Sequence, residues 1–189
     1  MDSISQLRDA TAWAATLMDN VDASQLGAPT TCEEWDVRGL ANHLTGCAYL
    51  FAGSFSAPED APEHGGEAPD FVADDAGAAF RVAADAMVGA FDGPARLEET
   101  ANLPFGSIPG AAAAFIATQE MIVHGWDLAR STGQDTAGAP QDVAAAVLAA
   151  AIAEDGESPE ANHYWGEVTA ADADASPIDQ LAAYRGRRV

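Results

Sequence analysis

The stretch Ala111-Ala112-Ala113-Ala114-Phe115-Ile116-Ala117-Thr118-Gln119-Glu120-Met121-Ile122-Val123-His124-Gly125-Trp126-Asp127-Leu128-Ala129-Arg130-Ser131-Thr132 lies between Pro109-Gly110 and Gly133 and holds no proline. It predicts one long helix ended by Gly133, carrying Phe115, Glu120, Val123, His124 and Leu128. Glu120 and His124 are four positions apart, so a carboxylate and an imidazole project from the same face about one turn apart.

Outward from this helix the same period recurs. Ile4, Leu7, Ala10, Ala14, Leu17, Met18 and Val21 follow one another at threes and fours and predict an amphipathic helix over 3–21, broken by Gly27, Pro29 and the threonine pair. Asp36 can cap a second helix, with Trp35 just outside and Leu40 one turn inside as a staple-like pair. Its inward positions are Leu40, His43, Leu44, Cys47 and Leu50, and it ends near Gly53. Residues 54–69 form a polar, proline-rich loop with His64 exposed in it. A third helix is predicted over 70–91, with Phe71, Ala78, Val82, Met87, Val88 and Phe91 as core contacts and Gly93-Pro94 as its stop.

Residues 95–110 contain Leu103-Pro104-Phe105-Gly106-Ser107-Ile108-Pro109-Gly110, an extended connection or a loop that closes over a site. An alanine-rich fifth helix is predicted over 141–153. An extended stretch through His163-Tyr164-Trp165, a short last helix after Ser176-Pro177, and a small basic terminus of Arg185, Arg187 and Arg188 complete the chain. The expectation is an all-α protein: a single domain over 1–189, a four-helix bundle with an additional helix and a short C-terminal extension.

Thirty acidic residues face eight basic ones, all arginine, for a net charge of -22 and a mean hydropathy near zero. Nucleic acid is excluded as a partner by this balance. No apolar run is long enough for a membrane span and Met1 is followed by Asp2 rather than a basic, apolar leader, so the expectation is a cytoplasmic protein without membrane attachment. Cys32 and Cys47, fifteen residues apart, match neither a disulfide framework nor a zinc knuckle and are expected to be reduced.

His43, from the second helix, adds a third donor to Glu120 and His124. Three protein ligands converging from rigid helices with one position open is the arrangement of a catalytic zinc site. The same residues at the same spacing also make an ion pair or a hydrogen-bonded polar cluster inside a bundle, and spacing leaves both readings open. Asp127 could accept a hydrogen bond from a ligand, or face solvent or Arg130. Cys32, near a helix start, is either a stabilised thiolate or a small buried residue at a turn, and Cys47 reads as core. Trp35 and Trp126 are expected to pack around the site. Arg38 and Arg130 either attract a substrate carboxylate or pair with the acidic surface, and His163 is structural.

Thr30-Thr31-Cys32-Glu33-Glu34-Trp35-Asp36-Val37-Arg38-Gly39-Leu40-Ala41-Asn42-His43-Leu44 and the Glu120-x-x-x-His124-Gly125-Trp126-Asp127 segment closely resemble the DinB-like helical bundle superfamily. Within it the chain is similar to the metal-binding domain of mycothiol-dependent maleylpyruvate isomerase and its short relatives of actinobacterial type. The resemblance extends to the Phe-Gly segment before the fourth helix and to the closing Leu-Ala-Ala-Tyr-Arg-Gly-Arg. It implies a divalent metal held by His43, Glu120 and His124, zinc first, with nickel or iron(II) as alternatives. The isomerase has a second domain that contributes a substrate-binding arginine, for which this sequence leaves no room, so maleylpyruvate isomerisation is not implied. This chain also has Thr31-Cys32 where the family often has proline after the first threonine.

Three functional expectations follow. The first is an enzyme, a transferase or isomerase, in which the metal activates a low-molecular-weight thiol as cosubstrate for attack on a small-molecule electrophile. The second keeps the metal and uses water, as a hydrolase. The third is a non-catalytic metal- or ligand-binding bundle, a homodimer, with a stress or regulatory role. The acidic excess fits either a high-salt cytoplasm or a GC-rich genome. A melting temperature that climbs between low and molar salt assigns it to salt adaptation, and a flat curve excludes that origin.

Overall fold

The computed structural model describes residues 2–32, 35–56, 69–73, 75–157, 159–160 and 165–189. Six α-helices carry the fold: α1 Ser3–Asp19, α2 Val37–Ala52, α3 Ala76–Ala90, α4 Gly110–Thr132, α5 Gln141–Asp155 and α6 Pro177–Tyr184. The all-α expectation holds, with a small antiparallel hairpin added between α3 and α4.

Most starts are set by side chains that accept from otherwise unpaired backbone N–H groups. Asp2 accepts from Ile4 and Ser5, Asp36 from Gly39, Asp75 from Ala78 and Ser176 from Asp179. Gly133 closes α4 in the left-handed region at φ 72°. The third helix begins at Ala76, not near Asp70 as the periodicity predicts. The backbone N–H groups of Phe71 and Val72 are spent on Asn42 Oδ1, and Asp70 pairs with Arg38 and Asn42, so this segment is tied to α2 instead of entering a helix.

Helices α1 to α4 form the bundle, with α1 against α3 and α4, α2 against α3 and α4, and α6 packed on both α4 and α5. Helix α4 is the central element. Ala113, Ala114 and Ala117, then every residue from Met121 to Ala129, are buried, so this helix is covered nearly all round. The inward face of α3 agrees with the predicted one at Met87, with Phe91 buried just after it, and differs elsewhere: Phe80, Ala83 and Ala84 are inside, Ala78 is exposed, and Val82 is 62% exposed.

The 95–110 segment resolves into a 3-10 turn over Pro94–Leu97 and a hairpin, β1 Thr100–Leu103 paired with β2 Gly106–Pro109. Leu103 pairs with Gly106, which leaves Pro104-Phe105 as a two-residue turn, and Asn102 N–H donates to Ser54 O at the end of α2. Among the described residues no helix is long and apolar enough to cross a membrane.

Close approach of α1 to α4 depends on Gly125, where an added Cβ would lie 2.6 Å from Cζ3 of Trp13. Trp13 is itself almost fully buried and cannot swing away freely. Gly125→Ala is therefore expected to cost about 1–3 kcal/mol by overpacking, measured as a shift of the denaturant midpoint at unchanged m-value.

Candidate metal centre

His43 sits on α2 one turn past Leu40, on the side of α2 that meets α4, and its Nε2 lies 3.0 Å from Glu120 Oε2. His124 follows Glu120 by one turn of α4, and its Nε2 lies 3.5 Å from the same oxygen. One donor atom from each of the three residues falls within 4.8 Å of the others. The two imidazoles meet edge to face at 4.7 Å, Trp35 stacks on His43 at 4.4 Å, and Trp165 stacks on His124 at 6.0 Å. The sequence-predicted trio is thus brought together, with an indole on each imidazole.

Asp127 decides the chemistry of His124. It is fully buried, and its Oδ2 lies 2.9 Å from His124 Nδ1. Thr31 Oγ1 donates to it at 2.6 Å, Cys32 Sγ at 3.1 Å, and Arg187 through both Nε and Nη2, the latter at 2.8 Å. Burial alone would raise this carboxyl, but the hydrogen bonds from His124 and Arg187 and their charges outweigh it and hold it far below the ordinary carboxylate range. An ionised Asp127 can only accept, so Nδ1 of His124 carries the proton. The other ring nitrogen, Nε2, is the one that faces Glu120.

Burial likewise pushes Glu120 up, and the hydrogen bond from His43 with the nearby charges of His124, His43 and Arg187 brings it below its ordinary value. An ionised carboxylate and an imidazole lone pair 3.5 Å apart repel unless a positive charge lies between them. A proton on His124 or a divalent ion would supply it. Two nitrogens and one carboxylate oxygen, with a carboxylate behind one imidazole, is a donor set that suits zinc and related divalent ions.

His43 and Glu120 open on a cavity of about 420 Å³. Leu50, Phe51, Phe105, Phe115 and Ile116 form its apolar walls, and His43, Glu120, Gln119, Trp165 and Arg185 its polar end. Arg185 is held there by Asp155 and Gln119 with its guanidinium over Trp165. Cys47 also lines the cavity and is not simply core: its Sγ is 3.5 Å from His43 Nε2 and 3.9 Å from Glu120 Oε2. Burial first, then the Glu120 charge, raises its thiol well above the ordinary value. Cys32 is pushed up to about 12 by burial and by Asp127, so it is a protonated donor at a turn, not a helix-end thiolate.

Several expected neighbours are elsewhere. Trp126 donates to Asp179 of α6, Arg130 lies over the Trp126 ring, and Arg38 pairs with Asp70. His64 and His163 lie outside the described residues. Arg187 and Trp165 were not singled out by sequence reasoning. The signals for them were the closing Leu-Ala-Ala-Tyr-Arg-Gly-Arg, which ends on Arg187, and a Tyr-Trp pair ahead of a cluster of arginines on an otherwise acidic chain.

A model of the mycothiol maleylpyruvate isomerase N-terminal domain matches residues 7–129, a span that includes His43, Glu120, His124 and Asp127. The chain belongs to this family of metal-binding, DinB-like domains. Two uncharacterized proteins of Mycobacterium tuberculosis, from strains CDC 1551 and H37Rv, are each 34% identical over 176 residues, covering 93% of this chain and 92% of their own. No solved structure matches. Arg187, Arg185 and Trp165 lie beyond the matched family span.

Asp127→Ala leaves Arg187 with its charge buried and unpaired, at an expected cost of about 3–5 kcal/mol. Because the folded-state carboxyl titrates below its unfolded value, this contribution is complete above about pH 4 and is lost as the pH falls further. Urea unfolding of wild type and variant over a pH series should show their stabilities converging on the acid side.

Proposed function

We propose that His43, Glu120 and His124 hold a divalent ion, zinc first, and that the protein is a thiol-dependent transferase or isomerase acting on a small electrophile in the adjoining cavity. The observation that carries the reading is the convergence of His43 Nε2 and His124 Nε2 on one oxygen of Glu120, at 3.0 and 3.5 Å, with the other nitrogen of His124 held by buried Asp127. Family membership supports the metal, and the thiol is carried by analogy within that family.

When bound, the ion supplies the positive charge that lets a coordinated thiol ionise at neutral pH. The chain's own residues do the rest. Asp127 keeps the proton on Nδ1 of His124 and fixes the ring, so Nε2 stays a donor atom. Trp35 and Trp165 hold the imidazoles by stacking and limit access of water. Leu50, Phe51, Phe105, Phe115 and Ile116 would take the apolar part of a substrate, and Gln119 with Arg185 would meet its polar part. Glu120 serves as a ligand, which leaves it no role as a general base.

Elemental analysis of untagged wild-type protein is expected to find a near-stoichiometric divalent metal. His43→Ala and His124→Ala, shown to be folded by circular dichroism, are expected to lose it. Absence of metal from wild type even after reconstitution would reduce the trio to a polar cluster and overturn the proposal.

A further inference from the structure

We propose that Cys47 is a fourth protein ligand, so that in the absence of an external thiol the ion is closed in by His43, Glu120, His124 and the Cys47 sulfur. The inference rests on the metal reading above and goes beyond it by assigning a residue, and therefore a resting state, to the position otherwise left open.

The spacing of the donor atoms is the argument. Cys47 follows His43 by one turn of α2, so the two side chains rise from one face of the same helix. Zinc–nitrogen and zinc–oxygen bonds of about 2.0–2.1 Å and zinc–sulfur bonds of about 2.3 Å, at tetrahedral angles, place a sulfur about 3.5 Å from each nitrogen or oxygen ligand. Cys47 Sγ lies 3.5 Å from His43 Nε2 and 3.9 Å from Glu120 Oε2. His43 Nε2 lies 3.0 Å from Glu120 Oε2, and Glu120 Oε2 lies 3.5 Å from His124 Nε2, against about 3.3 Å for a nitrogen–oxygen edge. Cys47 Sγ therefore stands at coordination-edge distances from two of the three donors, His43 and Glu120, beside the trio whose donor atoms lie within 4.8 Å of one another.

Ligand chemistry agrees, because zinc binds thiolate, imidazole and carboxylate in four-coordinate sites and favours sulfur where it is offered. Among the described residues the polar contacts of Cys47 Sγ are to His43 and Glu120, whereas Cys32 is engaged by Asp127 and Arg187.

An internal sulfur ligand changes how an external thiol enters. The incoming thiol takes the coordination place of Cys47, and its proton passes to the departing Cys47 sulfur. One sulfur–metal bond forms as one breaks, and neither sulfur is oxidised or reduced. The Cys47 thiol is then left beside the cavity that it lines.

The test is optical. Full-length protein, kept reduced with a phosphine so that no added thiol is present, is loaded with Co²⁺ alone. Wild type and Cys32→Ser are expected to show a near-ultraviolet sulfur-to-cobalt charge-transfer band together with visible d–d bands. Cys47→Ala and Cys47→Ser, checked by circular dichroism, are expected to keep d–d bands and lose the charge-transfer band. Visible bands without charge transfer in wild type, or a charge-transfer band that survives in Cys47→Ala, would overturn the assignment and leave the metal reading standing. Failure of wild type to take up cobalt, read from the d–d region and by elemental analysis, would overturn both.

Discussion

A carboxylate with no access to water organises this molecule. Asp127 is fully buried on the central helix, and the free energy of keeping its charge there has to come from partners that reach it from other parts of the chain. Arg187 comes from beyond α6, Thr31 and Cys32 from the connection before α2, and His124 from the preceding turn of α4. Removing any of them leaves charge or hydrogen-bonding capacity uncompensated in a dry place, so the segments are mutually dependent. The same carboxylate sets which nitrogen of His124 bears a proton. Packing and site chemistry therefore share one residue.

The bundle supplies the rest of the geometry. Helix α4 is enclosed nearly all round and is wedged by small residues such as Gly125, which lets α1 come within van der Waals distance at the level of the donors. His43 belongs to α2 while Glu120 and His124 belong to α4, so the spacing of the donor atoms depends on how these two helices pack. Trp35 and Trp165 brace the imidazoles from opposite segments, and the hairpin brings Phe105 over the apolar half of the cavity.

Much of this was legible in the amino-acid sequence, and the exceptions have physical causes. Helix boundaries read well where an aspartate or serine meets a backbone N–H, as at Asp36 and Ser176, or where Gly133 must adopt positive φ. The start of α3 did not, because the interaction that diverts residues 70–72 comes from Asn42, distant in sequence. An alanine-rich helix also leaves its rotational phase weakly marked, which is why Val82 was placed inside when Phe80 and Ala83 are the inward residues. Glu120, His124 and His43 were legible as candidate donors from helical spacing and from the family likeness. Asp127 was ambiguous, since a residue three positions after a histidine can face it or the solvent. Arg187 stands in the closing Leu-Ala-Ala-Tyr-Arg-Gly-Arg, but nothing in that segment names its partner, because a buried ion pair across sixty positions leaves no periodic trace.

The dependence of Asp127 on Arg187 has a consequence for the order of folding. The Arg187 guanidinium also reaches Cys32 across 155 positions of sequence, a separation that makes this one of the most entropically demanding contacts in the molecule. During synthesis, α1 to α4 emerge well before residue 187. Until then Asp127 has Thr31, Cys32 and His124 beside it and lacks its arginine, so its charge would favour keeping water there. Docking of the tail is the step that expels this water, so the centre acquires its final rigidity last.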